Sequence, residues 1–236
     1  MKHFHVHDVI FEYFPDSVYG VVLTNNMNNK CAGNEIYEQL LRKAETESLK
    51  HIPLEPLSNN PVVDEWREAY SKFKTKKGAR ASIEAMLKRV SKGDRIGSIN
   101  PLVDIYNAVS LKYGVSIGAE DIDKFQGDLN LTLAEGNEAF SLIGSEENDP
   151  PFPKEIVYKD DGGTVCRCFN WRDAQRTMIT ENSRKAFVII EMVNSSRTDV
   201  LKSALDEIES LVRSHLGAET TRYILNSRNR SVVIDP

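Results

Sequence analysis

The most hydrophobic run of the chain, KAFVIIEMV at 185–193, constrains the fold more than any other stretch. Its length and its β-branched content predict a buried central strand. An amphipathic helix is predicted to follow over 197–215, ending at Gly217, with a last strand around 223–225. The inward face of that helix is formed by Val200, Leu201, Leu205, Ile208, Leu211 and Val212. A strand, helix, strand unit of this kind indicates an α+β or α/β fold with a mixed sheet.

The remaining elements divide unevenly along the chain. Helices are predicted over 34–49, 62–73 and 79–90 and from Pro101 onward, so the N-terminal half is helix-rich. Strands are predicted over 3–14, 17–24, 128–133, 140–143, 155–158 and 164–169. The first two are expected to form a hairpin at Pro15-Asp16, and the last two flank a hairpin turn at 159–163. We expect a single domain over 1–236; the alternative boundaries are the proline loop near His51 and the acidic loop at 145–153.

Composition excludes several classes of protein. No run reaches the roughly 18 apolar residues of a membrane-spanning helix, and the first residues lack a secretion signal, so a cytoplasmic protein with no membrane partner is expected. Cys31, Cys166 and Cys168 are too few for a disulfide framework and are expected to be reduced. Alternating His3, His5 and His7 could line one face of a strand, but no further ligand accompanies them at metal spacing, so an exposed polar face is favoured. No metal site and no cofactor are predicted.

One segment of the chain is basic although the whole is acidic. The net charge of −5 argues against bulk coating of nucleic acid, and no DNA partner is expected. Between Trp66 and Arg95, however, ten basic residues face three acidic ones. The candidate RNA contacts in this segment are Lys74, Lys76, Lys77, Arg80 and Arg95. The alternative interpretation is a solvated helix face.

The stretch DRIGSINPLVDIYN at 94–107 has polar residues at spacings that an ordinary amphipathic helix does not need. Ser98 or Asn100 can cap a helix whose first residue is Pro101. Asp104 and Asn107 stand three apart, so they lie on one side of that helix. They are either a buried hydrogen-bonding pair that fixes the helix to a loop, or part of a site.

Two patches of sequence resemble a known family. SINPLVDIYNAVSLKYG is similar to a motif in the tRNA-editing module of phenylalanyl-tRNA synthetase beta chains, the unit formed by their third and fourth domains. The pattern Ile-Asn-Asn-x-Val-Asp-x-Thr-Asn-Tyr is matched by Ile99, Asn100, Val103, Asp104 and Asn107. DDGGTVCRCFNWRDAQRTMIT from Asp160 resembles the Asp-x-x-Gly hairpin and threonine-bearing loop of the same module. The chain resembles most closely free-standing homologues of this module, which share Asn170, Trp171 and Arg172, and the matched core runs roughly over 94–193.

The resemblance implies a pocket that both patches form. Its residues would be Asn100, Asp104, Asn107, Asn170, Trp171, Arg172 and Glu191. Asn107 corresponds to an asparagine that lines the editing pocket, and Glu191 falls near the glutamate that recognises the polar end of a misacylated side chain. The implied activity is hydrolysis, in trans, of the ester of a mischarged aminoacyl-tRNA, whose aminoacylated 3′ end is the partner. Such a reaction needs water, substrate placement and oxyanion stabilisation more than a protein nucleophile.

Departures from the family pattern leave the function open. The family's histidine after the site helix is Gly118 here, its threonine before the pocket asparagine is Tyr106, and its glycine pair is replaced by 169–171. The aminoacylation and ATP-binding signatures are absent, so a complete aminoacyl-tRNA ligase is not expected. A non-catalytic tRNA- or RNA-binding module and a protein that binds a small amino acid derivative are the alternatives to an aminoacyl-tRNA hydrolase. Trp171 with Arg172 is either a core pair or a stacking and phosphate contact, and Arg95 is either a surface charge or a contact to the tRNA end.

Overall fold

The computed structural model describes residues 1–30 and 35–235, and Cys31 lies outside them. In these residues the helices are α1 (Asp8–Tyr13), α2 (Glu35–Ser48), α3 (Pro61–Ser71), α4 (Ser82–Val90), α5 (Pro101–Tyr113) and α6 (Thr198–Leu216). The strands are β1 (Lys2–Val6), β2 (Val18–Asn25), β3 (Ser116–Asp121), β4 (Leu129–Leu133), β5 (Ile156–Asp160), β6 (Gly163–Arg167), β7 (Arg172–Asp173), β8 (Ala186–Met192), β9 (Glu219–Leu225) and β10 (Ser231–Asp235). None of the helices in these ranges has the length and apolar character that crossing a bilayer requires.

The strands form two sheets, and the α+β class with a mixed sheet is confirmed. The larger sheet has the order β10-β1-β4-β5-β6-β7, in which only β1 and β4 run parallel. The smaller sheet is antiparallel with the order β3-β8-β2-β9. Five of the six described helices precede the second half of the chain, as the sequence pattern predicts.

Strand β8 is the centre of the smaller sheet and confirms the strand predicted from the hydrophobic run. All seven of its residues are buried, because the sheet is covered on both faces. Val188 and Ile190 belong to the apolar cluster that includes Leu205 of α6. Phe187 and Ile189 belong to the cluster on the opposite face, where Phe187 meets Phe4 of the larger sheet edge-on at 4.9 Å between ring centroids. A strand covered on both faces has an apolar residue at nearly every position.

The start of the chain corrects the predicted hairpin. Only Lys2–Val6 is a strand, and the residues that follow form the helix Asp8–Tyr13. Ile10 and Phe14 are both buried and stand four residues apart, which is the spacing of a helix face. The alternating residues of the preceding strand led the sequence prediction to extend that strand through this helix. Strands β1 and β2 then enter different sheets, so they do not pair with each other.

One further strand prediction is wrong, and three strands were not predicted. The strand predicted at 140–143 is a single bridge between Leu142 and Ala174. The strands that were not predicted are β3, β7 and β10, each of which lies at the edge of a sheet. Strand β10 forms because it pairs with β1, with Phe4 opposite Val232, a contact between the two ends of the chain that no local pattern predicts.

The start of α5 agrees with the sequence prediction and identifies the cap. Asn100 is the N-cap, and its side-chain oxygen accepts from the Val103 amide at 3.2 Å. Pro101 is the first helical residue. The amide of Asn29 donates to the same Asn100 oxygen at 3.0 Å, which ties the helix start to the loop after β2. The helix ends at Gly114, whose φ of 63° is the left-handed conformation typical of a C-cap glycine.

Candidate functional site

A cavity of about 340 Å³ opens beside the edge strand β3, between the two sheets. Helix α4 and the loop before α5 form one side of it, and the turn between β6 and β7 forms the other. Its lining residues are Ser82, Ala85, Met86, Arg89, Ile96, Gly97, Ile99, Tyr106, Asn107, Ile117, Gly118, Asn170, Trp171 and Asp173. The two sequence patches that resemble the editing module therefore meet at one cavity.

Three of the seven predicted pocket residues line the cavity, and the other four do not. Asn107, Asn170 and Trp171 line the cavity. Asn100 and Asp104 are almost fully buried behind it and hold the helix in place. Ser98 and the amide of Ile99 both donate to the Asp104 carboxylate, at 2.5 and 2.8 Å. Asp104 and Asn107 therefore have different surroundings although they share one side of α5.

Glu191 lies behind the cavity wall and is not part of the lining. It is 1% exposed and stands opposite Ser116 on the neighbouring strand. The hydroxyl of Tyr158 donates to Oε1 at 2.7 Å, and the hydroxyl of Ser116 donates to Oε2 at 3.4 Å. Burial raises the pKa of Glu191 to about 8, against an ordinary value of 4.5, so the buried carboxyl is largely neutral at pH 7.

The turn that presents Asn170 has an uncommon backbone. Cys168 and Phe169 have φ values of 47° and 57°, which are seldom adopted by residues other than glycine. Phe169 is held edge-on against Trp66 and Phe73, with ring centroids 5.6 and 5.8 Å away. The hydroxyl of Tyr70 donates to the Cys168 carbonyl at 2.5 Å. These contacts fix the turn and direct Asn170 onto strand β3.

Asn170 packs directly on Gly118. A Cβ atom at position 118 would lie 2.2 Å from Oδ1 and 2.7 Å from Cγ of Asn170. The asparagine therefore occupies the space that a side chain at position 118 would need. The departures from the family pattern at Gly118 and Asn170 are linked by this contact.

A cluster of two acidic residues and a thiol adjoins the cavity through Asp173, which is the member of the cluster that lines it. Glu120, Cys166 and Asp173 bring their side-chain oxygen and sulfur atoms within 4.8 Å of one another. The Cys166 thiol donates to Oδ1 of Asp173 at 3.0 Å. Burial and the nearby Asp173 charge raise the pKa of Glu120 well above its usual value, and burial raises the pKa of Asp173 and of Cys166. The thiol is therefore not a reactive thiolate.

No sequence pattern identified this cluster, because its members come from β3, β6 and β7 of two different sheets. The only available signal was the pair Cys166 and Cys168 at alternate positions of one strand. The two cysteines nevertheless have different partners in the structure. The left-handed turn places Cys168 beside Glu155, to which its thiol donates at 3.3 Å, and Cys168 is therefore not part of the cluster.

A basic groove of about 330 Å³ adjoins the cavity and shares Ala85, Arg89 and Trp171 with it. The groove is also lined by Gly78, Arg80, Lys88, Lys92, Asp94 and Arg172, so five cationic side chains face one carboxylate. Trp171 is half-buried, with the Arg172 guanidinium 5.3 Å from its ring centroid. This indole therefore forms part of the boundary between the cavity and the groove.

Of the five predicted RNA contacts, only Arg80 lines this groove. Lys76 is ion-paired with Asp149, and Lys74 lies 5.4 Å from the centroid of the Phe152 ring. Lys77 and Arg95 are exposed and line neither the groove nor the cavity. Most of the basic lining comes from Lys88, Arg89 and Lys92, which lie in α4 and in the turn after it. None of these three residues was among the predicted RNA contacts.

Comparison with known proteins assigns the family. The model of the B3/4 domain matches residues 65–223, about two thirds of the chain. The chain belongs to the B3/4 domain family. A phenylalanine–tRNA ligase beta subunit from Shewanella oneidensis is 34% identical over 65 residues, which are 28% of this chain and 8% of that protein.

Among solved structures, the B3/4 chain is similar to an N-terminal fragment of the phenylalanyl-tRNA synthetase beta subunit from Pyrococcus horikoshii. The match has a TM-score of 0.45 at 12% identity and covers 95% of this chain and 54% of that one. The B3/4 chain thus spans little more than half of that fragment and a small part of the ligase subunit. It is related to a tRNA synthetase subunit over a limited region.

The histidines that alternate near the start of the chain, which could have lined a metal site, form a cluster with Asp128. His3 and His5 stack with ring centroids 5.6 Å apart, and Asp128 lies 3.3 Å from Nδ1 of His3 and 3.4 Å from Nε2 of His5. These contacts lower the pKa of Asp128. His7 instead contacts Asn130 at 2.8 Å. That the chain uses no metal stays a prediction.

The contact between Gly118 and Asn170 gives a test of the wall of this B3/4 cavity. We expect Gly118→Ala to lower the free energy of unfolding by about 1 to 3 kcal/mol, because the new methyl group overlaps the asparagine side chain. In an Asn170→Ala background the same change should lose most of its effect, which a urea-unfolding double-mutant cycle measures. Gly97→Ala is the matched control, since a Cβ at this cavity residue meets nothing within 4 Å. Equal costs of Gly118→Ala in both backgrounds would contradict the proposed contact.

Proposed function

We propose that this B3/4 domain hydrolyses the ester of mischarged aminoacyl-tRNA in trans. The observation that carries the proposal is the continuity of the cavity with the basic groove through Arg89 and Trp171. An aminoacylated 3′ end has phosphates on one side and an aminoacyl ester on the other. The groove suits the phosphates, and the cavity has room for the aminoacyl group.

In this proposal the groove residues bind the strand that carries the ester. Arg80, Lys88, Arg89, Lys92 and Arg172 contact phosphates, and Trp171 offers an aromatic face on which a terminal base can stack. Since the ester is already activated, hydrolysis requires a placed water molecule and a donor for the carbonyl oxygen. No protein nucleophile is needed, which agrees with the protonated thiol of Cys166.

Asn107 is proposed to position the ester. Its side chain is half-buried and lines the cavity, and in the described part of the chain it has no hydrogen-bond partner. An amide in this position can donate to the substrate carbonyl or accept from an amine. Asp104, whose carboxylate is satisfied by Ser98 and Ile99, is proposed only to hold the helix.

The test is deacylation of a panel of mischarged tRNAs by the wild type and by Asn107→Ala. We expect hydrolysis of at least one tRNA above the uncatalysed rate, and a reduction of one to two orders of magnitude in the variant. Loss of one hydrogen bond to the substrate, about 1 to 3 kcal/mol, corresponds to that range. Asn182→Ala, an exposed asparagine outside the cavity, is the control and should hydrolyse like the wild type.

Two outcomes would contradict parts of this proposal. Absence of deacylation for every tRNA at high protein concentration removes the hydrolase and, if tRNA still binds, leaves a non-catalytic tRNA-binding module. A marked fall in melting temperature of Asn107→Ala, with unchanged activity per folded molecule, would assign Asn107 a structural role.

A further inference from the structure

The acidic cluster beside the cavity has no ion-paired cation in the described part of the chain. No ion pair within 1–30 and 35–235 includes Glu120 or Asp173. The nearby Arg176 is ion-paired with Asp160, and Arg172 lies against Trp171 on the groove side. These two guanidinium groups act on the carboxyl groups only from a distance, and burial still raises the pKa of both Glu120 and Asp173.

Part of this cluster also lacks hydrogen bonds. Glu120 is 6% exposed, and among the described residues its buried Oε2 atom has no hydrogen bond of standard geometry, although the Thr177 hydroxyl is near enough to lower the pKa of the carboxyl group. Such an atom is rare in folded proteins, because an unsatisfied buried acceptor is destabilising. Asp173 uses Oδ1 to accept from Cys166 and lines the cavity, so the cluster can be reached by a bound molecule.

The chemistry of the cluster selects the type of group that would satisfy it. Carboxyl oxygens accept hydrogen bonds, and a bound cation favours the ionised form of two carboxyl groups that burial otherwise disfavours, so the complementary group is a cationic donor. A primary ammonium has three donors on one small centre and can reach acceptors from two residues at once. Part of the cavity wall is apolar or aromatic and includes Met86, Ile117 and Tyr106, and low polarity on that side strengthens such a contact.

We infer that Glu120 and Asp173 bind the primary ammonium group of the ligand that occupies this cavity. Under the proposed function, on which this last step rests, that ligand is the aminoacyl group, and the ammonium belongs either to its α-amine or to an amine side chain. The inference assigns recognition to β3 and β7, whereas the sequence resemblance placed it at Glu191. Glu191 is separated from the lining and is satisfied by Tyr158 and Ser116.

Calorimetric titration with amino acid amides tests the inference without tRNA. Amides mimic the ester, because both lack the free carboxylate of an amino acid. We expect alaninamide or lysinamide to bind at least tenfold more tightly than the fully N-acetylated compound, which carries no ammonium charge and is larger by one acetyl group at each amine. Binding of alaninamide identifies the α-amine, and binding of Nα-acetyl-lysinamide identifies a side-chain amine. Equal affinities for charged and acetylated amides, or no binding of either, would overturn the inference.

Conservative variants locate the contact. Asp173→Asn and Glu120→Gln retain the size of each side chain, and each should weaken the charged amide at least tenfold with little effect on the acetylated one. Glu181→Gln removes an exposed carboxylate that lies outside both the cavity and the groove, and this variant should bind like the wild type. If the cluster is instead a metal site, Zn²⁺ will bind with one-to-one stoichiometry and Cys166→Ser will abolish that binding, which would also overturn the inference.

The inference and the proposed function can fail separately. Amide binding that depends on Glu120 and Asp173, without deacylation of any tRNA, would leave the ammonium site and remove the hydrolase. Deacylation at equal rates of a free aminoacyl-tRNA and of the same aminoacyl-tRNA acetylated at every amine would leave the hydrolase and remove the ammonium site.

Discussion

Replacing Arg167 with alanine is expected to lower the free energy of unfolding by about 3 to 5 kcal/mol. Arg167 is 1% exposed, and its Nε and Nη2 atoms both donate to the carboxylate of Glu155 at 2.8 Å. Glu155 is itself fully buried, so the variant leaves an unpaired carboxylate in the interior. The Nη1 atom also donates to the Asp149 carbonyl at 3.0 Å. Because the turn bearing Asn170 begins directly after Arg167, the cavity wall should loosen as well.

Urea unfolding measures this loss, with Arg172→Ala as the matched control. Arg167 and Arg172 both lie against the Trp171 ring, 6.0 and 5.3 Å from its centroid. Because Arg172 is exposed, its removal should change stability by no more than about 0.5 kcal/mol. A double variant, Arg167→Met with Glu155→Leu, removes both charges and should recover part of the loss. A cost for Arg167→Ala close to that of the control would show that the buried pair does not hold this turn.

Glu191→Gln is expected to change the pH dependence of stability. The pKa of Glu191 is about 8 in the fold, against an ordinary value of 4.5 for the unfolded chain. Between these values the unfolded chain has released the proton and the folded chain retains it, so wild-type stability falls as the pH rises. At about 1.36 kcal/mol per pH unit, the full effect is at most about 5 kcal/mol above pH 8. Glutamine does not titrate, so the variant should gain stability over the wild type as the pH rises.

Unfolding free energies at pH 5.5 and 8.5 test this expectation. The groups that face Glu191 are Tyr19, Tyr158, Ser116 and Asn170. Glu120 and Asp173, whose pKa values are also raised, contribute a slope of the same sign in both proteins, so the difference between the two proteins isolates Glu191. Exposed Glu181→Gln is the control and should leave the slope unchanged. Parallel curves for Glu191→Gln and the wild type would contradict a neutral buried Glu191.

The features that the sequence predicted correctly are those determined by neighbours along the chain. The cap at Asn100, the proline after it and the glycine that ends α6 each follow from the backbone requirements of a helix end. The hairpin β5–β6 follows from its turn residues, and β8 from its unbroken apolar run. Asn107, Asn170 and Trp171, which the two patches brought forward, do line one cavity.

The features that the sequence did not predict depend on partners distant in the chain. Strand β3 has Ser116, Gly118 and Glu120 on one face and the apolar Ile117 and Ala119 on the other, so it contains few of the large apolar residues typical of a strand although all six of its residues are buried. The three residues of the first face contact Glu191, Asn170 and the acidic cluster, respectively. Small, polar and acidic residues of this kind are typical of loops. The strand that contributes most residues to the cavity wall was therefore not predicted.

The pairing of β1 with β4 and of β2 with β8 has a consequence for folding kinetics. Phe4 pairs with Leu129, and Val18 pairs with Met192, so strands near the start of the chain need partners made much later. Closing such long loops slows folding, because their entropy is lost before the contacts form. On the ribosome, β2 emerges well before β8, and its apolar residues lack a covering strand during that interval. A chain with this topology is therefore expected to fold slowly and to depend on protection of its nascent N-terminal half from aggregation.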